Sequence, residues 1–261
     1  MLAQDFFAGD VLRHLACFKV KDLNYDAAIL LPLRRLYEEG FSVRITHDPD
    51  EFLGLTGRVR DMFALPHNPQ LDPDLSPLCK RNFFGLFVTC NRMGKVAAAH
   101  AARLRHLGEK TLAEAMLDLS FIYDDPEAVS LEGESCDVWA PQAGEISGDI
   151  AWTCSLGVRK EYRSLGLPQA LGQITKALAV GFWDVGWTCS GTEPHLVARG
   201  TAANWGNEYI VDGALWRRPG SLRDGELRWH MLFASRGYLD SWAVRQSNIY
   251  RARYHGALSA A

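Results

Sequence analysis

The sequence predicts an α/β fold, a central mixed sheet flanked by helices with a helical extension ahead of it. Two observations carry this. Apolar runs that read as strands occupy the first half, at Phe41 to Thr46, Phe83 to Thr89 and Val96 to Leu104. The last two are joined by Asn91, Arg92, Met93 and Gly94, which is good chemistry for a hairpin turn. From Asp149 onward strands and helices take turns: strand Ile150 to Val158, helix Gln169 to Trp183, strand Gly186 to Ser190, helix His195 to Trp205, then a hairpin around Pro219 and Gly220.

The remaining elements follow from local pattern. Tyr25 to Glu39 carries apolar residues at helical spacing (Ile29, Leu33, Leu36, Tyr37) and stops at Gly40, with Pro32 expected to kink the helix or set its start. Asp50 to Leu65 reads as a helix begun near Asp48 and Pro49. Pro66, Pro69, Pro73 and Pro77 mark an expected surface loop. Leu112 to Ile122 reads as a helix, and Asp124 to Gly148 as an irregular insert. Leu227, Trp229, Met231 and Phe233 alternate as one face of a strand.

Composition narrows the function classes. The 261 residues are 48% hydrophobic and 23% charged, ordinary values for a globular protein with a substantial core. A formal net charge of -3 provides no basic field for nucleic acid or anionic lipid, and no apolar segment is long enough to span a bilayer. The 6 cysteines (Cys17, Cys79, Cys90, Cys136, Cys154, Cys189) lack zinc spacing and lie in apolar stretches, so they read as reduced core residues of a cytoplasmic protein without a metal site. Asp5 and Asp10 argue against a secretory signal.

The chemistry concentrates in Val158, Arg159, Lys160, Glu161, Tyr162, Arg163, Ser164, Leu165, Gly166, Leu167, Pro168, Gln169, Ala170 and Leu171, where a strand passes through a loop into a helix. First-turn N–H groups and the helix dipole favour an anion there, and a glycine lets a phosphate approach the backbone. Leu171, Ile174, Leu178 and Phe182 supply the buried stripe of that helix. The segment resembles the pyrophosphate-binding loop of the GNAT superfamily of N-acyltransferases: Arg163, Gly166, Ala170 and Leu171 match its pattern. Pro168 stands where that pattern has Gly or Ala, and it offers no N–H.

The resemblance implies a central mixed, mostly antiparallel sheet and an acetyl-CoA or other acyl-CoA cofactor. It also implies direct attack of an amine on the thioester. Cofactor-binding residues carried over are Leu156, Gly157, Val158, Arg163, Ser164, Leu165, Gly166, Leu167, Gln169 and Ala170, with main-chain N–H groups of Leu156 through Val158 on the thioester carbonyl.

Glu193 and His195 lie where the family opens its cleft and are candidate proton carriers, their alternative roles being a helix cap and a polar first-turn residue. Ala202 falls where many members carry the tyrosine acid, and Tyr209 is the substitute. Asp149 is a further base candidate. Arg217 and Arg218 are read as solvated charges or as contacts to an anionic substrate, and the 8 tryptophans as core before cleft lining.

The expected organisation is a helical extension at 1–40, a GNAT-like acyltransferase domain at 41–240 and a tail at 241–261. The expected acceptor is a small-molecule or peptide amine, and a homodimer is allowed for. A catalytically inactive scaffold that binds acyl-CoA or a partner protein is the alternative.

Overall fold

The computed structural model describes residues 25–57, 69–220 and 225–254. Its elements, in chain order, are α1 (Tyr25–Glu38), β1 (Phe41–Thr46), α2 (Pro49–Gly57), β2 (Phe83–Cys90), β3 (Lys95–Thr111), α3 (Leu112–Leu117) and α4 (Pro126–Val129). There follow β4 (Ser135–Val138), β5 (Ser147–Val158), α5 (Leu167–Trp183), β6 (Trp187–Thr192), α6 (Pro194–Ala198), β7 (Tyr209–Arg217), β8 (Glu226–Ser235) and α7 (Arg236–Tyr254). One eight-stranded sheet has the order β1-β2-β3-β5-β6-β8-β7-β4. Every pairing is antiparallel except β5 with β6. This is the mixed, mostly antiparallel sheet that was expected.

The parallel pair exists because α5 crosses over between its strands, and a parallel connection needs such a crossover. One face of α5 is apolar and buried: Leu171, Ile174, Ala177 and Leu178 pack with Ala98, Ala102 and Ala151 of the sheet. Small alanines on β3 and β5 let that helix lie close. Helix α1 packs on α5 and on α7, so the expected extension shares the core of the sheet domain. Pro32 sits inside α1 and is buried. The positions expected to form a tail continue α7 as far as Tyr254.

Five further readings are corrected. Strand β3 continues seven residues past Leu104: positions 105–111 are mostly polar and give little apolar signal, yet Arg105, His106 and Thr111 still find partners on β5. The helix expected at Leu112 to Ile122 ends at Leu117: Thr111 and Glu114 form a capping box at its start, and Leu119 takes a positive φ of 63° just after its end. The supposed irregular insert holds α4 and β4, and β4 closes the sheet edge against β7. The proline segment is no simple surface loop, since Pro69, Gln70 and Leu71 form a buried 3-10 turn. The helix expected over Asp50 to Leu65 is seen to Gly57; its remainder, Pro66, Cys17, Asp5 and Asp10 lie outside the described residues. Cys79 is exposed rather than core.

Order in the insert comes from a charge network in which two buried arginines share one carboxylate. Arg103, 2% exposed, donates to Gln70 O (2.8 Å) and to Asp124 Oδ1 (2.9 Å), while Arg105 reaches the same carboxylate at 2.6 Å. Burial lowers the Arg103 pKa to about 10, still far above neutrality, so the network stays charged. Removing Asp124 would strand two cations, which is costly in a site of low dielectric.

Gly85 on β2 illustrates how tightly α2 docks. A Cβ there would lie 2.2 Å from the Phe52 ring, which is itself wedged against Phe83 and Phe87. Gly85→Ala is therefore expected to destabilise the protein by about 1–3 kcal/mol through overpacking. Denaturant unfolding checks this, and Phe52→Ala in the same background should recover part of the loss caused by the glycine replacement.

Candidate active site

Strands β5 and β6 pair only at Ile150–Trp187, Ala151–Thr188 and Trp152–Cys189, and then part. Beyond that point β6 remains paired with β8 to Thr192, while β5 remains paired with β3 to Val158. On the β3 side the register shifts between Ala99 and Ala101, so that Ser155 and Leu156 both oppose His100. This is a β-bulge, and it leaves main-chain groups out of the ladder. Ser155 takes a φ of 52° there, a conformation that costs a non-glycine residue energy and must be held by its surroundings.

Where the strands part, a cavity of about 190 Å³ opens. Its lining includes Thr153, Ser155 and Leu156 of β5, Ser190 through Thr192 of β6, and Glu193. His100, Gly172 and Lys176 face it from β3 and α5, and Trp152, Trp205, Trp216 and Trp229 also line it. Gly172 packs closely here, because a Cβ there would meet Cβ and O of Trp205 at 3.3 Å. Four residues on, Lys176 Nζ donates to Trp205 O at 2.7 Å, so one face of α5 fastens the turn that closes the cavity.

From the bulge the chain continues through Gly157 and Val158, which pair with Ala99 and Ala98, into the loop before α5. Arg163 Nε donates back to Val158 O at 3.3 Å. Ser164 and Gly166 both have positive φ, 76° and 71°, and such turns gather successive N–H groups into a concave nest suited to an anion. Pro168 lies in the first turn, where a missing N–H breaks no ladder bond, and the first N–H to enter the ladder is that of Ala170, to Gly166 O at 3.1 Å. The guanidinium of Arg35, on α1, stands over Gly166: a Cβ on that glycine would be 2.8 Å from Nη2. Arg35 also pairs with Glu39.

A strand, loop and helix followed by a parallel strand, with a cleft between parting strands, is the arrangement implied by the loop motif. The fold is GNAT-like. No family model and no curated protein matches the chain. Among solved structures it is similar to NAA60 of Arabidopsis thaliana in complex with acetyl-CoA, at 11% identity and TM-score 0.45, over 76% of this chain and 99% of that one. It is similar also to aminoglycoside acetyltransferase AAC(6')-Ib in complex with coenzyme A and kanamycin, at 14% identity and TM-score 0.40, over 77% and 98%. A GNAT-family acetyltransferase from Streptococcus pneumoniae is similar at 12% identity and TM-score 0.39, over 75% and 99%.

Of the residues expected in this GNAT-like cleft, Leu156 and Glu193 line it, whereas Gly157 and Val158 do not. Leu165 is exposed, Ser164 and Gly166 form the nest, Gln169 is half-buried, and Leu167 and Ala170 are buried beneath the loop. Glu193 occupies the N-cap of α6, yet its side chain makes no cap bond and instead meets His195 Nδ1 at 3.2 Å. His195 is half exposed and lies beside the lining rather than in it.

Tyr209 is not brought to the cleft. It is exposed at the start of β7, and the Glu208 carboxylate beside it raises its phenol above the usual range. Ala202 is fully buried in the turn before Trp205. Asp149 pairs with His106 at 2.6 Å at the opposite end of β5. Arg217 bonds Asp137 and Glu226, and Arg218 lies over Tyr123 and Trp216. Trp152, Trp205 and Trp216 are buried core residues, as expected, and together with the partly buried Trp229 they also line the cleft, whereas Trp139 is exposed.

Sequence reading missed Arg35, Ser155, His100 and Lys176. Lys176 is 4% exposed and makes no ion pair among the described residues; burial lowers its pKa to about 7. His100 is lowered to about 3 by burial and then by the charge of Lys176, and its Nδ1 lies 2.9 Å from Thr175 Oγ1. Because the folded-state pKa of Lys176 is depressed, the unfolded chain binds more protons between about pH 7 and the ordinary lysine value of 10.5. Stability from this group thus rises with pH across that window, and below it the full penalty is present. Lys176→Met is expected to stabilise the empty protein at pH 7 and to lose that advantage by pH 10. Denaturant midpoints of both proteins at pH 7, 8.5 and 10 check the sign; a constant difference would mean that Lys176 does not titrate in this range.

Proposed function

We propose that the chain is an acyl-CoA-dependent N-acyltransferase of the GNAT type, carrying an acetyl or longer acyl group to an amine by direct attack on the thioester. The observation that carries this reading is the continuity of β5. The strand runs from a bulge with free main-chain groups at the cleft into an anion-suited nest at the start of a 17-residue helix. A ligand with a carbonyl at one end and a pyrophosphate at the other suits that path.

In this reading the nest, Arg163 and Arg35 hold the pyrophosphate, and the main chain at Ser155 and Leu156 polarises the thioester carbonyl. Glu193, with His195 behind it, takes the proton of the arriving ammonium, directly or through water. The free amine adds to the carbonyl carbon and the C–S bond breaks. Among the described residues no tyrosine lines the cleft, so coenzyme A leaves as thiolate and is protonated by the relay or by water. Similarity in chain path to proteins bound to acetyl-CoA and coenzyme A agrees with this choice of cofactor. A second reading, binding of acyl-CoA without turnover, is favoured by Ala202 in place of an acid.

Acetyl-CoA and free coenzyme A should raise the melting temperature, since a ligand bound only by the native state stabilises it. An unchanged melting curve at saturating concentrations of both would sink the cofactor assignment. Gly166→Glu should weaken the binding by crowding and like charge, and Arg35→Ala should weaken it roughly tenfold or more, as for loss of a charge-assisted hydrogen bond.

Glu193→Gln and His195→Ala should lower turnover by roughly a hundredfold while leaving coenzyme A affinity nearly intact. Full activity of both variants would return these residues to a structural role. Cofactor binding with no turnover of any amine in the unmutated protein would favour the second reading.

A further inference from the structure

The cleft has two unlike walls. Along β5, Trp152 faces the insert, where it packs with Phe121 at 4.7 Å between centroids, and the next residue, Thr153, faces α5 by the alternation of a strand. On β6, Gly191 faces Trp229, which a Cβ there would crowd at 3.1 Å, so Ser190 faces the other way. The result is an aromatic wall on the insert side and, on the α5 side, a polar stretch bordered by Trp205, Leu156 and Leu196. Trp229 lies 6.2 Å from Trp152 and 5.8 Å from Trp216, with Leu227 and Ile122 beside them. Opposite are Thr153, Ser190 and Thr192, all buried, with Lys176 behind them on α5.

Among the described residues Lys176 is the one lysine or arginine in the lining of this cleft, and the acyl-transfer chemistry above leaves it unused. A buried ammonium is stable only when it is paired or neutral. Trp205 O accepts one of its three N–H donors, and no carboxylate among the described residues meets it. The neighbouring titratable groups do not supply the missing charge: burial raises the Cys189 thiol out of reach of neutral pH, and His100 is neutral for the opposite reason. Methionine would fill the same volume without the penalty. A lysine that weakens the empty protein and lines its cavity is suited to an anion that arrives with the ligand.

We propose that Lys176 receives a carboxylate of the substrate, and that this part of the cleft takes an amphiphilic acid whose apolar body lies along Trp152, Trp216 and Trp229. The proposal deepens the acyl-transfer reading of the same cleft and takes its two ligand sources from it. The carboxylate can ride on the acyl chain, as in a dicarboxylic monothioester of coenzyme A, or on the acceptor, as in an amino acid. The recognition chemistry is the same: an anion on a desolvated ammonium, with an apolar body on tryptophan faces.

Calorimetric titration of the full chain tests this with 3-phenylpropionate against its neutral amide, each on the unmutated protein and on Lys176→Met. The acid should bind roughly tenfold or more tightly than the amide, and the variant should bind the two alike. Equal binding of acid and amide by the unmutated protein, or a preference that survives in Lys176→Met, overturns the proposal. Lys176→Gln, which keeps a polar end without the charge, should match the methionine variant, so a folding defect in one does not rescue the idea.

Two further arms place the carboxylate. A preference for succinyl-CoA over acetyl-CoA that vanishes in Lys176→Met puts it on the acyl chain. Loss in the variant of L-phenylalanine binding to the acetyl-CoA-saturated protein puts it on the acceptor. If neither arm changes, no substrate carboxylate reaches Lys176 and the proposal fails. Coenzyme A binding without acid preference overturns this proposal alone. Acid preference without any coenzyme A binding upholds Lys176 and overturns the acyl-CoA reading.

Discussion

The divergence of β5 from β6 is the constraint around which the rest of the molecule is arranged. A parallel ladder ordinarily continues for the length of its strands, since each unpaired main-chain group must find another partner. Here β6 satisfies one edge against β8 along its whole length, and β5 satisfies one edge against β3. The two facing edges are left to whatever enters between them. The bulge at Ser155 and Leu156 fixes that outcome, because an extra residue in one strand bends it and strengthens its twist. Positive φ at Ser155 is the local cost, borne by pairing on either side.

Helix α5 links the cleft to the loop. Its first turn carries the nest, its middle carries Gly172 and Lys176 against Trp205, and its opposite side is sealed by α1 and α7. Sealing has a second consequence, for it is α1 that brings Arg35 over Gly166. Tyr25 of the same helix donates to Asp240 of α7 at 2.6 Å, and Arg236 reaches both Asp240 and Asp184 at the end of α5. The three helices are thus joined at one end by charge and along their length by apolar packing.

On the other face, the aromatic wall is held by the insert. Glu134, whose side chain is fully buried, accepts from Tyr123 Oη at 2.7 Å and from Trp216 Nε1 at 2.8 Å, and Arg218 balances its charge. The indole of Trp216 is thereby oriented toward the cleft, and Arg103 with Asp124 anchors the segment that carries Ile122. The insert is structural in its charges and shapes the cavity with its apolar residues.

The prediction that Gly85→Ala crowds Phe52 marks the boundary between what could be read in one dimension and what could not. Hydrophobic period and turn chemistry are local, so β1, β2, α5 and the order of elements after Asp149 were legible, as was the loop around Arg163 and Gly166 with Pro168 in its first turn; the helix expected at His195 to Trp205 nevertheless ends at Ala198, where Gly200 turns to a positive φ. Local pattern failed where partners lie far away in sequence. The polar end of β3 extends because β5 pairs with it, β4 exists because β7 offers an edge, and residues 241–254 are helical against α1. The site divides in the same way. Leu156, Gly166 and Glu193 were named from the resemblance to the GNAT pattern, while Tyr209 stands outside the cleft because β7 starts elsewhere. Arg35 looked like one more charge on a solvated helix face, and Lys176 like a polar break in an apolar stripe. Sequence by itself determined the locally encoded elements and the anion-suited loop, because those depend on a few consecutive dihedrals. Tertiary structure alone decided which side chains face the gap between β5 and β6, because desolvation and convergence are properties of packed surfaces.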